Sequence, residues 1–159
     1  MDSLTLRKAS ANDSDFAYCV KKAAFKEYVD KVWGWNEEEQ RRLHEQRFNT
    51  QDFRVISLAG RDVGVMAMVV QPDCLKLNQL FLLPEHQGRG VGTKCMLLVM
   101  DEGRRLCLPV RLRVLKVNVR ALTFYQRLGF VRTGETETHV LMQRDHATLW
   151  LDERDHQRL

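Results

Sequence analysis

A glycine-rich junction, Gln87-Gly88-Arg89-Gly90-Val91-Gly92, follows a β-patterned run ended by Pro84 and opens a long helical pattern. A strand, a tight turn and a helix start, in that order, make an anion site. The first N–H groups of a helix have no internal partners, and the helix dipole places about half a positive charge there. Glycines let a phosphate approach the backbone closely, and Arg89 adds a planar guanidinium suited to phosphate. Spacing decides which pyrophosphate ligand fits. A dinucleotide fold asks for G-x-G-x-x-G and an acidic residue ~20 positions later. Here the loop is G-x-G-x-G, and the strand after the helix ends in Leu115-Lys116. A triphosphate loop asks for G-x-x-x-x-G-K-[ST], and counting from Gly88 its second glycine falls on Thr93. Both readings fail, which leaves the pattern Q/R-x-x-G-x-G/A, met by residues 87 to 92.

The rest of the chain supplies elements around that loop. Residues 4 to 7 read as a first strand. Phe16, Val20, Ala23, Ala24 and Glu27 then keep helical spacing to about Val32. Trp33-Gly34-Trp35 interrupts, and Asn36 is placed to cap a charged helix from Glu37 to about Phe48. Runs 53–59 and 63–70 around the turn Gly60-Arg61-Asp62 form a hairpin signal. A third strand of the group, 74–82, sets Leu75, Leu77, Gln79 and Phe81 on one face. The helix after the glycine loop carries Val91, Cys95, Leu98, Val99 and Leu106 at helical spacing, and strand 110–116 follows Pro109. Asn118 is placed to cap a helix to Leu128, with Gly129 as its C-terminal stop. Runs 130–134 and 139–144 close the chain. The order β-α-α-β-β-β-α-β-α-β-β predicts an α/β fold: a mixed, mostly antiparallel twisted sheet with helices on both faces.

The 159 residues fit one domain, 1–159, with 145–159 as a charged tail. A domain of that size buries roughly 70% of its unfolded surface and needs no disulfide or metal for a core. Cys19, Cys74, Cys95 and Cys107 form no CxxC pair, lack histidines at zinc spacing and read as reduced core or near-core thiols. The first residues lack the apolar core of a signal peptide, and no apolar run reaches the ~18 residues of a membrane span. The expected compartment is the cytoplasm, with no membrane partner. The net charge of +4 mixes 25 basic with 21 acidic residues along the chain, so a nucleic-acid stripe is not expected. A modest basic cluster at Arg104, Arg105, Arg111, Arg113 and Lys116 reads as solvated faces, or as a site for an anionic ligand.

With the strand-and-proline lead-in Leu80-Phe81-Leu82-Leu83-Pro84-Glu85-His86 before the loop, the sequence resembles the GNAT superfamily of N-acetyltransferases, as a bacterial-type member. The segment from Asn118 to Phe130 fits the family's second signature, N-x-x-A-x-x-F-Y-x-x-x-G-F. The strong resemblance covers residues 53 to 144. It implies a GNAT-like fold with a splay between the fourth and fifth strands, and acetyl-coenzyme A as co-substrate, with no metal. It implies that Leu82, Leu83, Gln87, Gly88, Arg89, Gly90, Val91, Gly92, Thr93, Asn118, Ala121 and Tyr125 bind the cofactor. Leu82 would stabilise the thioester oxygen through its backbone N–H, and Tyr125 would return a proton to the departing sulfur. Read from the residues alone, Asn118 is also a plain helix cap and Tyr125 a half-buried core tyrosine.

The general base is not assigned. Strand 74–82 carries no carboxylate, and Glu27, Asp30, Glu37 and Glu85 are the acids elsewhere. Gln79 can position a water. In this family the acceptor pocket is built mostly by the first two helices and their connection, which here points to Tyr28, Trp33 and Trp35, with Gln79 of strand 74–82 joining them. The aromatics line a pocket for a cationic amine or pack the helices onto the sheet. The expected reaction is direct acetyl transfer to a primary amine of a small molecule or peptide. The alternatives are a protein N-terminus or lysine as acceptor, a non-catalytic coenzyme A-binding regulatory domain, and a nucleic-acid binder suggested by the pI of about 9.0. A homodimer is possible, with Leu149, Trp150 and Leu151 of the tail at the contact or covering their own domain.

Overall fold

The computed structural model describes residues 3–147. Seven strands, β1 (Leu4–Lys8), β2 (Asp52–Leu58), β3 (Arg61–Val70), β4 (Leu75–Leu82), β5 (Val110–Leu115), β6 (Val131–Glu135) and β7 (His139–Arg144), form one mixed sheet. Their order is β1-β2-β3-β4-β5-β7-β6. Four helices complete the fold: α1 (Ser14–Val32), α2 (Glu37–Thr50), α3 (Val91–Leu106) and α4 (Val119–Arg127). Short 3₁₀ turns precede α1 and follow β4. The tail residues Leu149, Trp150 and Leu151 lie outside the described residues.

Strand alternation divides the core between the two faces. Val65 and Ala67 of β3 join Ala17 and Val20 of α1 and Phe53 of β2 on one side. Met66 and Met68 join Cys95, Met96, Val99 and Met100 of α3 on the other, continuous with Tyr125 and Leu128 of α4. Buried on both faces, β3 reads as an unbroken apolar run. Capping works as the sequence predicts: the side chains of Asn36 and Asn118 accept from the N–H groups of Glu39 and Ala121 at 2.9 and 3.1 Å.

All neighbouring strands are antiparallel except β4 and β5. That parallel pairing holds Leu75 to Val110 and Lys76 to Arg111 and goes no further among the described residues. Beyond it the two strands part, which is the predicted splay. Three expectations need correction. A bulge at Asn78 shifts the β3–β4 register from Met68–Leu77 to Ala67–Gln79. It turns Leu75 and Leu77 to the α3 side and Phe81 to the α1 side, so the four residues do not share a face. In α3 the buried stripe runs through Met96, Met100 and Gly103, and Leu98 is 43% exposed. Cys74 and Cys95 are buried, but Cys19 and Cys107 are exposed; Cys107 ends α3 in the left-handed region at φ 56°.

Candidate active site

The glycine loop lies where β4 ends and α3 begins. Gly88 and Gly90 take φ of 73° and 81°, the left-handed region glycine reaches without strain. Gly90 is the N-cap of α3 and brings no capping side chain. The first helical bond runs from Lys94 N–H to the Gly90 carbonyl at 3.2 Å, so the N–H groups of Val91, Gly92 and Thr93 have no helical acceptor. No acidic residue stands in the first turn. Arg120 at the start of α4 reaches the loop, its Nη1 donating to Gln87 Oε1 at 3.4 Å. Gln87 in turn donates from Nε2 to the Leu82 carbonyl at 2.9 Å. Pyrophosphate chemistry fits this cradle: backbone donors, a helix N-terminus and a guanidinium converge there.

The loop connects to the opening between β4 and β5. Leu83 N–H donates to the Val63 carbonyl at 2.9 Å. Successive residues of a strand turn their N–H groups to opposite sides, so the N–H groups of Leu82 and Leu80 face the β5 side, where the pairing has ended. Leu83 itself is tied inward, because its carbonyl also accepts from His86 N–H at 2.9 Å. β3 approaches closely here: a Cβ at Gly64 would stand 2.5 Å from the Phe81 carbonyl oxygen.

A cleft of about 960 Å³ fills the opening and extends toward α1, α2 and the β6–β7 turn. Gln79, Leu80, Asn118, Ala121, Tyr125 and Trp33 all line it. Gln79 is 6% exposed, and its Oε1 has no hydrogen-bond partner. Asn118 uses Oδ1 for its cap, which leaves its amide N–H groups to the cleft. Tyr125 packs edge-on against Phe124 and Phe130 at centroid distances of 5.0 and 5.6 Å. Burial holds its phenol well above the usual tyrosine range, and therefore protonated.

On the helical side the expected pocket residues separate. Trp33 lines the cleft and is 60% exposed. Trp35 turns aside, with Nε1 donating to Glu37 at 2.8 Å, and Tyr28 stacks near Phe25 at 6.1 Å outside the cleft lining. The four acids considered as bases also lie outside it. Glu37 accepts from Trp35, Lys22 and Tyr18, which pull its pKa to about 2 and make it a poor proton acceptor. One group the sequence did not single out is better placed. His139, at the start of β7, lines the cleft beside Trp33 with ring centroids 6.1 Å apart. Its Nδ1 meets Thr138 Oγ1 at 2.8 Å. Burial, and then Arg113, lower its pKa below 6.5, so it is neutral at pH 7.

Lys21 is a second such residue. It occupies the apolar stripe of α1 four positions after Ala17 and is 3% exposed. Its Nζ donates to Gln40 Oε1 at 3.1 Å. Burial, and then Arg47, push its pKa down to about 8 from 10.5. Between those values the unfolded chain binds more protons than the folded one, so the lysine's destabilising effect fades as pH rises through that window. Lys21→Met is therefore expected to be more stable than the parent at pH 7.5, by roughly 1–3 kcal/mol, with the gap closing toward pH 10.5. Urea unfolding across that range measures it; a gap independent of pH would assign the effect to packing. Among the described residues no three His, Cys, Asp or Glu side chains converge to hold a metal ion, and no helix is long and apolar enough to cross a membrane.

The model of the acetyltransferase (GNAT) family matches residues 20–130. Among solved structures, the PaiA N-acetyltransferase of Thermoplasma acidophilum in complex with coenzyme A is similar at 17% identity and TM-score 0.75, over 90% of this chain and 99% of that one. The ribosomal-protein-S18-alanine N-acetyltransferase of Escherichia coli is similar at 16% identity and TM-score 0.70, over 94% and 96%. Arabidopsis thaliana Naa50 in complex with the bisubstrate analogue CoA-Ac-MVNAL is similar at 15% identity and TM-score 0.65, over 90% and 99%. No curated protein matches the sequence at a significant level.

Proposed function

The chain belongs to the GNAT family of acetyltransferases, and from that premise we propose that it moves the acetyl group of acetyl-coenzyme A directly to a primary amine of a small molecule or peptide. The carrying observation is the glycine loop: its bare helix N-terminus stands at the end of the strand whose N–H groups face the β4–β5 opening. The similar PaiA structure holds coenzyme A, which supports the choice of ligand. We read the chain as one cytoplasmic domain without nucleic-acid or membrane partners.

The N–H groups of Gly88 to Thr93 hold the pyrophosphate, flanked by Arg89 and Arg120. Gln87 fixes the loop to the Leu82 carbonyl. Asn118 and Ala121 flank the pantetheine arm. In the reaction the amine nitrogen forms a bond to the thioester carbon and the carbon–sulfur bond breaks. The Leu82 N–H stabilises charge on the carbonyl oxygen, an effect worth about 10²–10³ in rate for one such donor. The amine's proton passes to His139, and the departing thiolate takes the phenolic proton of Tyr125.

Incubation with acetyl-coenzyme A and a panel of primary amines, read as release of free thiol, tests this proposal. The base must be neutral to accept a proton, so kcat/KM should rise with pH through a midpoint below 6.5. His139→Ala should lose about 10²-fold in kcat and that acidic limb with it. An unchanged acidic limb would remove His139 from the mechanism. A peptide α-amine is the second acceptor class, favoured by the peptide-bearing analogue in the similar Naa50 structure.

A further inference from the structure

The basic cluster noted in the sequence comes apart in the fold. Arg104 pairs with Asp101, Arg105 with Glu102, Arg111 with Asp73 and Lys116 with Glu135. Arg113 pairs with no carboxylate among the described residues and lines the cleft. Lys21, Arg47 and Lys76 line it too, likewise without an ion pair, and among the described residues Glu39 is the one acid of the lining. Three of these cations repel in a chain, Arg47 acting on Lys21 and Arg113 on Arg47, and Arg113 also disfavours the charged form of His139. A buried lysine held by one amide, with Arg47 beside it and Arg113 beside Arg47, is costly to keep without a counter-ion. Gln79, whose Oε1 is buried without a hydrogen-bond partner, also lines this cleft.

The cluster is separate from the pyrophosphate loop. Lys76 precedes Leu82 by six residues, about 20 Å along a strand rising ~3.3 Å per residue. Lys76 and Arg111 form the last β4–β5 pair, so Lys76 marks the closed end of the splay, and Arg113 stands two residues further along β5 toward the opening. They face the side built by α1 and α2.

We propose that Lys21, Arg47 and Arg113 bind an anionic group of the acceptor, and that the acceptor is a small primary amine carrying a carboxylate or a phosphate. Arginine forks suit both oxyanions. A cleft of about 960 Å³ suits a small ligand together with the coenzyme's arm. Only the word acceptor rests on the acetyltransferase reading; the anion site stands on the cleft itself.

Calorimetric titration of the protein without coenzyme A tests the site, using matched pairs: phosphoethanolamine against ethanolamine, and 4-aminobutyrate against butylamine. The anionic member should bind at least 10-fold tighter, and the better of the two anionic probes identifies phosphate or carboxylate as the group. Arg47→Gln and Arg113→Gln should each weaken it by about 10- to 100-fold, the range for a hydrogen bond to a charged group. Arg104→Gln, on the outer face of α3, should leave it unchanged. In turnover the Arg113→Gln loss should appear in the KM of the anionic amine and not in that of acetyl-coenzyme A. Equal binding of both members of each pair, or faster transfer to neutral amines or to peptides lacking an acidic group, would overturn the proposal. Anion binding without transfer to any amine would instead overturn the acetyltransferase reading and leave the site standing.

Discussion

Tyr125→Phe is expected to lower kcat by about 10²–10³ while leaving acetyl-coenzyme A binding unchanged. Removing a positioned proton donor costs typically 10²–10⁴ in rate. The substitution deletes one oxygen and keeps the ring that packs against Phe124 and Phe130. Fold and cofactor site should therefore survive. The phenol's environment also sets the pH behaviour. Burial raises its pKa above the ordinary value of 10, so the proton stays in place through the neutral and mildly alkaline range. No alkaline decline below pH 10 should come from this group. Steady-state rates and coenzyme A titrations on both forms check the prediction, and a kcat within threefold of the parent would remove Tyr125 from the chemistry.

Much of this site was legible because its signals are local. Gly88 and Gly90 announce left-handed turns, Asn36 and Asn118 announce helix starts, and Pro84 announces the end of β4. Each acts within a few residues of itself. The β4 bulge was not legible for an equally local reason. Leu75, Leu77, Gln79 and Phe81 keep one alternating frame, but Leu80 and Leu82 are apolar too, so either frame buries a side chain. An extra residue at Asn78 leaves no mark in such a pattern. In α3 the adjacent apolar pairs Cys95–Met96 and Val99–Met100 widen the stripe, and packing against the sheet centres it away from Leu98.

The cleft wall was hidden because no pattern connects its parts. Lys21, Arg47, Arg113 and His139 come from four different elements and meet only after the sheet has formed. One faint signal was present. A lysine on the apolar stripe of α1 is out of place. Trp33 and Trp35 show the opposite case: the same residue type two positions apart, one on the cleft and one bound to Glu37. The turn through Gly34, at φ 80°, sends their side chains different ways, which composition does not record.

The most direct test is the melting temperature with and without saturating acetyl-coenzyme A, in the parent and in Gly90→Val. Ligand at about 100 times its dissociation constant stabilises by ~2.7 kcal/mol, which for a domain of this size raises Tm by roughly 5–10 °C. A Cβ at Gly90 meets no atom within 4 Å, so valine does not clash with the fold. Its cost is the left-handed backbone at φ 81°, which a β-branched residue resists. Relief of that strain re-aims the N–H groups at the start of α3. The account predicts a shift of that size in the parent and its loss in Gly90→Val. No shift in the parent with acetyl-coenzyme A or with free coenzyme A would contradict it, and the glycine loop would then be turn chemistry or a site for another anion.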